Sequence, residues 1–122
     1  MNILRDRTKR FAVRLFDLID EIPQTPKGLV VQTQLAKAAS SVAANYRAAQ
    51  RSRSRAEFIS KLCVTFEELD ECAFWLEFLP HTRLIPSETV GPLQTEADEL
   101  LAIIARSRNT ARANAKKRGA GS

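Results

Sequence analysis

The sequence has few of the residues on which most enzymes and disulfide scaffolds are built. Its one histidine, His81, sits between Pro80 and Arg83, so the two Glu-x-x-His pairs that a carboxylate-bridged di-metal bundle needs cannot be assembled. No Ser/Cys–His–acid set surrounds it, and neither a P-loop nor a glycine-rich nucleotide loop occurs. These absences point away from an enzyme and imply no cofactor and no metal. Cys63 and Cys72 are nine residues apart. On a helix that spacing turns them by about 900°, onto opposite faces, which excludes a mutual bridge. They read as buried, reduced thiols.

Four glycines and five prolines in 122 residues leave little room for a turn-rich β-fold. No apolar run approaches the roughly 20 residues that cross a bilayer, so no membrane partner is expected. Met1 to Arg10 carries interspersed charges and no apolar core of a secretory signal, which makes the cytoplasm the expected location. A chain of this length reads as one domain that buries about two-thirds of its unfolded surface.

What is present is helical periodicity. Phe58, Leu62, Thr65, Leu69, Cys72, Leu76 and Leu79 step by three and four residues, which keeps them on one side of a helix. Val31, Leu35, Ala38, Val42, Asn45 and Ala49 form a matching stripe of mostly small residues, suited to close approach of two helix axes. Phe11, Leu15, Leu18 and Ile22, widened by Ala12, Phe16 and Ile19, mark a first helix over about residues 3–22. Thr25-Pro26 caps a second, reaching about Arg51. Ser54-Arg55-Ala56-Glu57 reads as a capping box for the third, which is expected to stop before Pro80. The last helix starts near Ser87 or at Pro92, with the stripe Leu93, Ala97, Leu100 and Ile104. The expected architecture is all-α, an up-down-up-down antiparallel four-helix bundle over residues 1–114, followed by a basic flexible tail over 115–122.

Net charge is +5 but strongly segregated. Residues 22–56 carry six basic groups and no acid, 57–99 carry ten acids against Lys61 and Arg83, and 100–122 carry six basic groups and no acid. Alternating helix direction brings the start of helix one, the turn between helices two and three, and the end of helix four to one tip. The basic groups there are Arg5, Arg7, Lys9 and Arg10, then Arg47, Arg51, Arg53 and Arg55. Helix four adds Arg106, Arg108 and Arg112, followed by Lys116, Lys117 and Arg118. The acids Asp17, Asp20, Glu21, Glu71, Glu77, Glu88, Glu96, Asp98 and Glu99 are expected at the other end. Basic residues in the first turns of helix one oppose the helix dipole, so attraction to an anion explains them better than stability does. Nucleic-acid backbone is the favoured partner, held with little sequence specificity. Docking on a protein and simple solvation are the alternatives.

Asn45 and Thr65 interrupt apolar stripes, as a buried interhelical amide does when it sets register. Phe74, Trp75 and Phe78 make the third helix apolar over more than half its girth near its C-terminus, which suggests a subunit interface. With the acidic crowd Glu67, Glu68, Asp70 and Glu71, that face is the working surface of a second reading, a protein-interaction scaffold.

The stretch Gln34–Ala49, Q-L-A-K-A-A-S-S-V-A-A-N-Y-R-A-A, resembles the helix-two signature of the bacterial four-helix-bundle proteins encoded in intervening sequences of 23S ribosomal RNA genes. The matching positions are Gln34, Lys37, Ala38, Ala39, Ser41 and Asn45, with Glu57-Phe58, Thr65, Glu68 and Leu69 in helix three. The family's Glu-Gly falls here on Ala48 and Ala49, and its Gly-Ser on Val64 and Thr65. The resemblance covers about residues 11–104 and extends to the accessory protein of diversity-generating retroelements. It implies a four-helix protomer in a homopentamer, no established activity, and a role as accessory to a ribosomal RNA intervening sequence or to a retroelement reverse transcriptase.

Overall fold

The computed structural model describes the backbone of residues 3–121 and the side chains of residues 3–117. Four helices follow one another: α1 (Ile3–Glu21), α2 (Pro26–Gln50), α3 (Arg55–Thr82) and α4 (Ser87–Gly121). The connections 22–25, 51–54 and 83–86 are each four residues long, so chain neighbours lie antiparallel. Packing is extensive for α1–α2, α2–α3 and α3–α4, and thin between α1 and α4. The chain is an all-α four-helix bundle. No helix among the described residues is long and apolar enough to cross a membrane.

The core is the sum of the stripes. Leu62, Leu69, Leu76 and Leu79 of α3 are fully buried beside Leu35 and Val42 of α2 and Leu100 and Ile104 of α4. Each such aliphatic side chain contributes roughly 1.5–3 kcal/mol. Phe11, Leu15, Leu18 and Ile22 close the α1 side, while Phe16 points outward and is 45% exposed. Its place on the flank of the α1 stripe, next to the α2 groove, accounts for that. Asn45 and Thr65 do not bond between helices. Asn45 Nδ2 donates to the Ser41 carbonyl and to Ser41 Oγ, both at 2.9 Å, and Thr65 Oγ1 donates to the Lys61 carbonyl at 2.8 Å. A carbonyl one turn back satisfies these polar atoms, so neither needs a partner across the interface.

Helix ends follow local chemistry. Thr25 Oγ1 accepts from the Gly28 amide at 3.1 Å with Pro26 in the first turn, and Ser54 Oγ accepts from the Glu57 amide at 3.1 Å. The box at Ser54 is half made, because Glu57 Oε2 accepts from the Arg53 amide, one residue before the cap. Gln32 Nε2 donates to the Ile19 and Ile22 carbonyls, and Lys27 Nζ to that of Thr82, so α2 satisfies carbonyls at the ends of α1 and α3.

Two helices outrun their expected ends. α3 passes through Pro80 to Thr82 and stops at Arg83, which is left-handed at φ 64°. A proline this close to the end removes a single ladder donor, and the buried Leu76 and Leu79 hold the last turn in place. α4 starts at Ser87 and includes Pro92. Gly91 has no Cβ to crowd the proline ring, which eases a helical conformation there. The expected boundary at Asn114 does not interrupt α4, which continues to Gly121; alanine and lysine, good helix formers, occupy its continuation.

Gly28 is the tightest backbone contact. A Cβ there would overlap the Pro23 carbonyl oxygen and crowd Thr25 Oγ1. Gly28→Ala is therefore expected to cost roughly 1–3 kcal/mol by forcing the α1–α2 turn apart, measured as a lower urea midpoint with unchanged slope. An unchanged midpoint would mean that the turn adapts freely.

Candidate nucleic-acid interface

The short α2–α3 connection places like charges together. Arg47 and Arg51 are one turn apart at the end of α2, Arg53 lies in the turn, and Lys61 comes from α3; all four line one cleft, with Glu57 as the acid among them. Same-sign neighbours at i and i+4 cost a few tenths of a kcal/mol, so this arrangement works slightly against the fold. Lys61 is hard to pick out from sequence because it lies inside the acidic segment, although it falls just two turns after the capped start of α3.

Arg47 and Arg51 also line a second groove, of about 840 Å³, between α1 and α2. Arg5 and Lys9 join them there, with Ala12, Val13 and Phe16 as apolar floor. On the α4 side, Arg55 and Arg106 share a groove with Phe58, Ile103, Ser107, Thr110 and Asn114. Arg112 and Lys116 flank Ile59. The start of α1, the α2–α3 turn and the second half of α4 thus contribute to adjoining surfaces, as alternating helix direction requires.

Not every expected cation is available. Arg7 forms a forked pair with Glu96, Nη2 to Oε1 at 2.6 Å and Nε to Oε2 at 3.1 Å, and Nη2 also donates to Glu99 at 2.9 Å. Glu96 and Glu99 therefore face α1 instead of gathering at the far end. For Arg7, stability is the explanation of its place in the first turns. Arg108 lies against the Phe66 ring, 4.8 Å from its centroid, with Nε buried and unpartnered, so α3 covers part of its charge. Arg112 Nη2 donates to Cys63 Sγ at 3.3 Å. Arg10 and Lys117 are exposed, and the Arg118 side chain lies outside the described residues.

The α1–α4 ion pair has a pH signature. The hydrogen bond from Arg7 holds the Glu96 carboxyl below its ordinary value of 4.5, against the opposing effect of burial. A depressed folded-state pKa gives stability that is present above the ordinary value and is lost as pH falls through the folded one. Glu96→Gln should therefore cost roughly 1 kcal/mol near pH 7 and flatten the acid limb of the stability curve below pH 4.5. Urea titrations at several pH values measure this, and parallel acid limbs would refute it.

Both cysteines are free, Cys72 buried and Cys63 half-buried, so one of the two expected buried thiols reaches the surface. Burial, reinforced by the charges of Glu68 and Glu71, pushes the Cys72 thiol up to about 12. At pH 8 a maleimide should label one thiol, Cys63, in the native chain and two after denaturation; rapid double labelling of the native chain would contradict the packing.

Gln34, Ser41 and Asn45 follow one another at steps of seven and four along α2 and are all half-buried. Glu68 sits opposite on α3, its carboxyl raised mainly by burial and then by Glu71 and Glu67, with Lys37 of α2 acting in the other direction. On the outer face of α3, Trp75 is half-buried and packs edge-on against Phe74 and Phe78, at 5.0 and 5.6 Å between ring centroids. Phe74 and Phe78 are exposed, while Trp75 Nε1 is buried without a partner.

No functionally curated protein matches the chain. A protein of unknown function from the S23 ribosomal protein family of Bacteroides thetaiotaomicron has a similar solved structure, with a TM-score of 0.81 and 29% sequence identity; the match covers 87% of this chain and 98% of that one. The sequence profile of the 23S rRNA-intervening sequence proteins matches residues 2–106. The last basic turns of α4 lie beyond that match. With this profile matched over most of its length, the chain belongs to the 23S rRNA-intervening sequence protein family.

Proposed function

We propose that this protein is a non-enzymatic, cytoplasmic homo-oligomer that binds nucleic-acid backbone through the basic end of its bundle. The cleft formed by Arg47, Arg51, Arg53 and Lys61 carries the reading: four cations converge there around one carboxylate. Arg55 and Arg106 extend the positive surface on the α4 side. Guanidinium groups suit forked contacts to phosphate, and release of condensed counterions makes such binding tight at low salt and insensitive to sequence. The family's description fits a ribosomal RNA context; the reading extends to service to a retroelement reverse transcriptase and to an oligomer of five chains.

RNA and DNA retention in a gel, measured across a salt series, tests the reading. Replacing Arg47, Arg51, Arg53 and Arg55 by alanine should lower the log–log salt slope by roughly one unit for each phosphate that is no longer neutralised. Arg7→Ala should leave retention unchanged, since Glu96 and Glu99 already neutralise that group. Equal retention by the fourfold variant would refute the proposal.

A second reading rests on α3. Phe74 and Phe78 are exposed on a helix rich in carboxylates, which fits a protein-docking surface. A Trp75→Ala chain that keeps the native particle mass by light scattering would remove its main support.

A further inference from the structure

The groove between α3 and α4 exists because α1 is short. α1 begins at Ile3, four residues before Arg7, and runs opposite to α4. Since Arg7 meets Glu96 and Glu99, α1 covers α4 only to about Ile103. Glu96, Glu99, Ile103, Ser107, Thr110 and Asn114 follow one another at steps of three and four, so they share one side of α4. The side that meets α1 lower down is therefore the side that lines the open groove above. α3 supplies Arg55 and Phe58 from its first turn, and the space between them and α4 is about 690 Å³.

The chemistry of this groove differs from that of its neighbours. The α1–α2 groove includes Asp6 and Asp17, and the cleft at the turn includes Glu57. No carboxylate lines the α3–α4 groove, and among the described residues neither Arg55 nor Arg106 has an ion pair. Its uncharged polar groups are also unspent. Elsewhere the hydroxyls of Thr33, Ser40, Ser52, Thr65 and Thr95 each donate to a carbonyl one turn back. The hydroxyls of Ser107 and Thr110 do not, and among the described residues the Asn114 amide has no partner either. Phe58 stands between these groups, half-buried.

A bare phosphate site needs only the cations. An aromatic ring beside an amide and two hydroxyls suits a base that has left its stack: the ring takes its face, and the polar groups take its edge. In a duplex the faces are stacked and the pairing edges are occupied, so neither reaches a ring set between two helices. We infer that the α3–α4 groove holds an unpaired base of single-stranded nucleic acid. Phe58 lies against the base, Thr110 and Asn114 bond its edge, and Arg55 and Arg106 hold the flanking phosphates. This names the form of nucleic acid bound by the surface proposed above and rests on that reading. Ser107, Thr110 and Asn114 lie beyond residue 106, outside the family match, so family membership does not itself imply the slot.

Fluorescence anisotropy with a labelled single-stranded RNA, and with the same strand annealed to its complement, tests the slot. The native chain should bind the single strand roughly tenfold more tightly than the duplex at equal salt. Phe58→Leu, which keeps apolar volume without a stacking ring, and Thr110→Ala/Asn114→Ala, at two exposed positions, should each remove most of that preference. Duplex affinity and the salt slope should stay unchanged, because no phosphate contact is lost. Circular dichroism confirms equal helicity. An Arg47→Ala/Arg51→Ala/Arg53→Ala variant should instead weaken both forms alike and lower the slope. Equal native affinity for the two forms, or an equal loss on both in the slot variants, would overturn the slot and leave the phosphate surface standing. A native chain that binds neither form would overturn both.

Discussion

The apolar row of α3, from Leu62 through Leu69 and Leu76 to Leu79, is fully buried, and covering it takes both α2 and α4. With four-residue connections, those neighbours can only run back along α3. Everything polar is then placed by default. The end of α2, the start of α3 and the second half of α4 must meet, and each carries arginine. Small residues on α2, among them Ala38, Val42 and Ala49, let this central pair approach closely.

The same constraint sorts the charges into two kinds. Arg7 meets Glu96 and Glu99 across the thin α1–α4 contact, and the forked geometry ties together the two helices that share the least apolar surface. Arg108 is likewise drawn onto Phe66. The arginines around the α2–α3 turn have no comparable carboxylate supply; Glu57 alone lies in their cleft. Cations that raise the energy of the fold without being neutralised within it are best accounted for by an anion outside it. At the turn, nucleic-acid phosphate is the anion proposed for that role.

The inner row of α3 carries the core, while its outer side interleaves carboxylates with phenyl rings, Glu67, Asp70 and Glu71 ahead of Phe74 and Glu77 beside Phe78. Trp75 stands between the two, half-buried, held edge-on by Phe74 and Phe78 and left without a partner for its indole nitrogen. The α2 motif residues Gln34, Ser41 and Asn45 lie at the flank of the α2 core stripe, half-buried along one row. Their visible work is local, with the Asn45 amide bound to Ser41.

Four helices, their three- and four-residue stripes, the caps at Thr25 and Ser54 and the gathering of basic segments were legible in the sequence, because each depends on neighbours within a turn or on chain direction alone. Other features were not. That Pro80 lies inside α3 follows from Leu76 and Leu79 being buried against other helices, and the Asn45 amide bonds within its own helix, to Ser41. Lys61 joining the arginines, Arg7 being claimed by Glu96, and Phe16 turning outward depend on the rotation of each helix about its axis. Periodicity determines which residues share a face; only packing against a particular neighbour decides what that face meets, and with it which arginines stay open to an external anion.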